Sequence, residues 1–287
     1  MRKKDFNGCH TCERLSPMLS SLPVTIISII AVICYATATL LQRRNLISGL
    51  QDRKMVFVSS ILAVITHLAV VLLATVQASG LDFGFFKVAS LISWVIVVVV
   101  LMSSWKKPLD NLFLYLFPLA IFCLLASVFI PGTYAPQSNY SLGVALHILL
   151  GILSVSIITI AAFQALLISF LNKLLKEKKS FSLVSHLPPL ETMEALLFDV
   201  LWLGLLLLTG VLVTGVLFMD DFFGQHLSHK AILSTISWIV FSVLLWGRHQ
   251  LGWRGKTANR WILTGFGFLI LAYFGSKFVL EIILNRL

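Results

Sequence analysis

Seven histidines are the residues of this chain best suited to bind a metal or move a proton, and their surroundings divide them. His186 and His249 fall in charged loops and His10 in the N-terminal tail, where an imidazole is an ordinary solvated side chain. His147 sits about one and a half turns inside an apolar run by the ~3.6-residue helical period, beside an uncharged loop containing Tyr134 and Tyr140. His229 ends the polar stretch Asp220-Asp221-Phe222-Phe223-Gly224-Gln225-His226-Leu227-Ser228, just before a later apolar run. Two neutral imidazoles reaching one surface from two elements suit coordination of a metal or haem iron better than acid–base work, because no carboxylate lies at helical spacing to either. Interfacial histidines bonded to loop carbonyls are the plainer alternative. His67 stands in the middle of another apolar run, where a bracing bond to a neighbouring element competes with a ligand role.

The elements that must hold these residues are long and apolar. The 287 residues are 58% hydrophobic and 12% charged, with a mean hydropathy of +0.95, whereas soluble domains carry about a quarter charged residues. Eight stretches approach the roughly 20 residues that cross a bilayer: Leu22–Leu41, Met55–Ala78, Phe85–Ser103, Leu109–Ile130, Leu142–Leu171, Ala195–Met219, Ala231–Trp246 and Trp261–Leu284. The seventh is the shortest and contains Ser234, Thr235 and Ser237. Backbone groups in hydrocarbon must pair within their own element, and these runs are too long for barrel strands. The expected fold class is therefore all-α, a polytopic transmembrane helix bundle of about eight spans. Pro118 should kink the fourth span as a packing feature, and Gly204, Gly210 and Gly215 let the sixth approach a neighbour closely. Nothing resembles a soluble catalytic domain, so the expectation is a protein that is not an enzyme.

Orientation follows from Lys and Arg, which stay on the cytoplasmic side in short loops. Arg43, Arg44, Arg53, Lys54, Lys106, Lys107, Lys173, Lys176, Lys178, Lys179, Arg248, Arg254, Lys256 and Arg260, 14 in all, fall on one face, and the loop Pro131–Ser141 has none. Both termini are then extracytoplasmic. Residues 1–21 read as an external tail and 22–287 as a single transmembrane domain. Arg2, Lys3, Lys4 and Arg14 sit awkwardly outside, a conflict that a translation start at Met18 would remove. Cleavage at a signal-type Ala36-Thr37-Ala38 site would reverse every later helix, so the charge bias argues against it. Basic loops of this kind imply membrane lipids as partners, and no nucleic acid.

Cys34 and Cys123 lie inside spans as small apolar residues. Cys9-His10-Thr11-Cys12 has the spacing of a redox or metal pair but lacks the His after the second Cys that haem attachment requires.

The segment His229-Lys230, Ser237-Trp238, Arg248, Gly252-Trp253-Arg254-Gly255, Gly265-Phe266 and Ala272-Tyr273-Phe274-Gly275 resembles the C-terminal part of the cytochrome c assembly family. That family includes CcsA-, CcmC- and HemX-type membrane proteins. The resemblance covers His147 to about Val279 well and the earlier spans in pattern. It implies a multi-pass protein of the bacterial inner membrane that binds or handles haem on the outer face during cytochrome c-type maturation. Haem is the implied cofactor, and other maturation proteins or apocytochrome are the implied partners. His147 matches the family's first external haem ligand. The sequence departs from the pattern in having no Trp between spans six and seven, where Phe222, Phe223 and two aspartates stand instead. Trp246 takes the place of a histidine, and the second external histidine would fall near Leu284. His229 is then the candidate second axial ligand, with His67 behind it. A small-molecule transporter, or a HemX-like regulatory subunit in haem biosynthesis, is the alternative that binds no haem.

Overall fold

The computed structural model describes residues 10–48, 52–77, 80–107, 109–130, 140–177, 188–218 and 228–275, with side chains in the first helix from Leu22 onward. The chain runs through α1 (His10–Ser48) and α2 (Arg53–Thr75) into a two-residue antiparallel pair, β1 (Val76–Gln77) with β2 (Gly80–Leu81). Next come α3 (Phe85–Ser104), a 3-10 turn at Asp110–Leu112, α4 (Phe113–Phe129), α5 (Leu142–Lys176), α6 (Leu190–Phe218) and α7 (Ser228–Gln250). The last helix, α8 (Gly255–Ile270), continues into a π turn at Leu271–Gly275.

The architecture is all-α, and seven helices among the described residues are long and apolar enough to cross a membrane. The expected eighth span begins in α8, but its end beyond Gly275 lies outside the described residues. Most helices run past the expected spans, among them α5 to Lys176 and α6 from Leu190. Helix α1 begins at His10, within the stretch expected to be a tail. Helix α7 outruns Ala231–Trp246 at both ends, and its hydroxyls are bonded: Thr235 donates to the Ala231 carbonyl at 2.8 Å and Ser237 to the Gly265 carbonyl of α8 at 2.8 Å. Polar residues lower a span's hydropathy without shortening the helix once their hydroxyls are bonded.

Helices α1 to α4 pack on one another, and α6 to α8 form a second group. Helix α5 joins them, lying against α3, α6 and α8, and much of its length is buried, including Val155, Ile158, Ala161, Ala165 and Ile168. Where α5 meets α6 the backbones come close. A Cβ added to Gly204 would stand 2.7 Å from Ile158 Cγ1, and one added to Gly210 would stand 3.2 Å from Leu150, so these small residues set the spacing as expected. The outward faces carry Val58, Phe122, Leu206 and Val216, each at least 60% exposed, as a surface solvated by hydrocarbon should. Pro118 also faces outward, within α4.

The basic residues gather at one end. There Arg53 reaches the Ser104 carbonyl and Asp110, Lys107 meets Asp199 at 3.2 Å, and Asn259 donates to Ser169 at 2.7 Å. The Gly252-Trp253-Arg254-Gly255 loop is also here. Both glycines have left-handed φ, +65° and +54°, which side-chain-bearing residues rarely adopt. The turn stacks Trp253 on Trp261, with centroids 5.3 Å apart, and aims Arg254 at Glu194. Glu194 also accepts from the Gly255 N–H at 3.2 Å, while Arg248 lies 4.6 Å over the Phe198 ring. Both tryptophans pack against the core, so they do more than anchor at an interface: the motif ties α6, α7 and α8 together.

Candidate functional site

The opposite end of the bundle is aromatic and holds His147. Phe83 meets Tyr140, Phe85 meets Phe86 and Phe274, and Tyr273 meets Phe274, all with centroids 4.9 to 5.9 Å apart. A buried aspartate, Asp82, accepts from the Gly84 N–H at 2.9 Å and pairs with Lys87, fixing the start of α3 beside this cluster.

His147 lies in the second turn of α5, half-buried. One helical turn deeper on the same face, Gly151 leaves room for the Tyr273 ring, whose hydroxyl would stand 3.5 Å from a Cβ there. The polar contact of His147 is with α6: Nδ1 and Thr214 Oγ1 are 3.1 Å apart. Thr214 has one hydroxyl proton, and two carbonyls compete for it, Gly210 at 2.7 Å and Val211 at 3.2 Å. That competition favours the oxygen as acceptor toward His147, with the ring hydrogen on Nδ1, and the Val211 backbone also bonds the ring. The lone pair is then on Nε2. An imidazole whose Nδ1–H is held by a protein oxygen is the usual arrangement of a metal-ligating histidine. A held nitrogen donor at an end rich in aromatic side chains is chemistry suited to an iron macrocycle.

The other candidates are placed differently. His229 is exposed in the first turn of α7, next to half-buried Lys230. Helices α5 and α7 meet through α6 and α8 rather than face to face, so a ligand held by both histidines must reach across that end of the bundle. His67 is fully buried in α2. Its Nδ1 is 3.1 Å from the Tyr35 hydroxyl and its Nε2 is 3.0 Å from the Ser90 hydroxyl, which joins α1, α2 and α3 and leaves neither nitrogen free. Tyr134, Phe222, Phe223, His226 and Leu284 lie outside the described residues, as does Cys9, and the side chains of His10 and Cys12 are likewise undescribed.

Changing His67 to Phe should leave two buried hydroxyls without a partner and cost about 1–3 kcal/mol. Unfolding in mild detergent measures this. An unchanged midpoint would show that the three-helix bond contributes nothing.

Sequence reasoning missed Thr214, a lone hydroxyl near the outer end of span six. It also read Tyr273 and Phe274 only as motif letters. Trp238 belongs with them: its indole N–H donates to Thr209 at 2.9 Å, joining α7 to α6.

A bundle of long apolar helices, basic at one end and carrying an oriented histidine at the other, defines a multi-pass membrane protein. Residues 55–284 match the model of the Cytochrome C assembly protein family, and the chain belongs to that family. The inner membrane protein YpjD of Escherichia coli (strain K12) is 32% identical over 234 residues, 80% of this chain and 88% of that protein. An uncharacterised 28.8 kDa protein in the nifR3-like 5' region of Azospirillum brasilense is 30% identical over 186 residues, 64% of this chain and 68% of that protein. Protein HemX of Brevibacillus brevis is 24% identical over 203 residues, 67% of this chain and 75% of that protein. No solved structure matches. The family match begins after α1, yet α1 packs on α2 and α4 and supplies Tyr35 to the buried histidine.

Proposed function

We propose that this protein is a haem-binding, haem-handling component of the bacterial inner membrane, acting in cytochrome c-type maturation without being an enzyme itself. The observation that carries the reading is the His147 imidazole, its Nδ1 3.1 Å from Thr214 Oγ1, at the less basic, aromatic-rich end of the bundle. Family membership supports the pathway, and the relative named as an inner membrane protein supports the location. Haem bound here would supply an iron centre that takes a nitrogen ligand. His147 would provide one such ligand and His229 is the candidate for the other. Thr214 orients the first ring, and Tyr273 packs at Gly151, one turn deeper on α5, beside Phe274 and Phe85. His67 has no nitrogen to offer and braces the first three helices. The positive-inside bias supports an extracytoplasmic position for the His147 end.

Haem-stained gels of membranes from cells lacking the gene test the cellular role. Covalent haem in at least one c-type cytochrome should fall and return when the gene is restored. An unchanged set of stained cytochromes would count against a part in maturation.

A further inference from the structure

At the basic end, α3, α5 and α6 leave an open groove of about 270 Å³ between them. Its walls are Val99, Met102, Ile157, Ile160, Val200 and Leu203, and its rim is Lys106, Lys107 and Asp199. We infer that this groove binds one anionic phospholipid, an acyl chain lying along the apolar walls and the phosphate resting between Lys106 and Lys107.

The walls continue onto helix faces that look outward: Met102 is 71% and Leu203 47% exposed. In a membrane protein such faces meet acyl chains, so a chain can enter sideways without crossing water. The groove falls below the roughly 300–1,000 Å³ of pockets that enclose a compact ligand, so it suits a single chain segment and not a macrocycle. At the rim two lysines face one carboxylate, leaving an excess of positive charge. Lys106 forms no ion pair among the described residues. Lys107 is paired with Asp199, but both side chains are well exposed, 44% and 64%, and such a pair is weak enough to give way to a phosphate. Neither lysine is needed to cap α3. The Ser103 carbonyl takes the backbone N–H of both, and Arg53 covers the Ser104 carbonyl. Trp105, 79% exposed, marks this level as the membrane interface. Basic pockets between helices on the cytoplasmic side are recognised lipid headgroup sites.

The test is native mass spectrometry of the full chain in detergent, titrated with phosphatidylglycerol or phosphatidylcholine. One phosphatidylglycerol should be retained preferentially. Lys106→Gln and Lys107→Gln should each weaken it about fivefold, Asp199→Asn should strengthen it, and Lys176→Gln, on the same face, should leave it unchanged. Leu203→Trp should displace the lipid with both lysines present. Should that variant not accumulate, the Asp199 and Lys176 changes decide alone. Equal retention of the two lipids, or a Lys176→Gln loss as large as that of Lys106→Gln, would reduce the effect to diffuse surface charge and overturn the site. None of these readouts involves haem, so the outcome is independent of the function proposed above.

Discussion

Alanine at His147 is expected to strip most bound haem from the purified protein while leaving its membrane level intact. The ring is half-buried and its polar contacts are on α6, Thr214 Oγ1 at 3.1 Å and the Val211 backbone. Thr214 keeps its bonds to the Gly210 and Val211 carbonyls whether or not the imidazole is present. The fold therefore loses little, and the haem site loses its oriented donor. Thr214→Val should weaken haem about 10- to 100-fold, the usual cost of losing the partner that orients a ligating histidine, and Thr214→Ser should restore it. A purely structural threonine would not separate the Val and Ser variants in a haemin titration. If His229 supplies the second ligand, its loss added to that of His147 should change little, because two ligands of one iron act as a unit. Retention of full haem by His147→Ala would refute the ligand assignment.

Topology reporters should give an all-or-none result. A reporter active only in the cytoplasm is expected to work when fused after Lys178 and to be silent when fused after Pro136. The basis is the gathering of basic residues at one end, against Arg14 near the start of α1, Lys87, bound to Asp82, and Lys230 among the described residues at the other. The opposite result at both sites would put His147 on the cytoplasmic face.

Much of this fold was legible because hydrocarbon imposes a length and a composition on anything that crosses it. The stretch from Val88 to Met102, for example, is apolar but for Ser90 and Ser93, and Lys106 and Lys107 follow it. Helix ends were less legible. Hydropathy undervalues Thr235, whose hydroxyl bonds the carbonyl one turn back, and Ser237, whose hydroxyl is taken by the Gly265 carbonyl of another helix. The site was legible only as types of residue. His147 could be singled out by its depth in span five, but its competence depends on Thr214, 67 positions away. His67 was a weaker candidate, with a bracing bond the competing reading, and Tyr35 and Ser90, from two other helices, take both its nitrogens. The Gly-Trp-Arg-Gly motif was visible as a family mark, whereas its physical work, two left-handed glycines turning α7 into α8 against Glu194, needed the backbone.

The most direct test of the central claim is the absorption spectrum of the full-length protein purified in mild detergent. A Soret band should be present on isolation or appear on adding haemin, and it should be diminished in His147→Ala but kept in His67→Phe. A colourless protein that takes up no haemin, or a band lost with His67 and indifferent to His147, would contradict it.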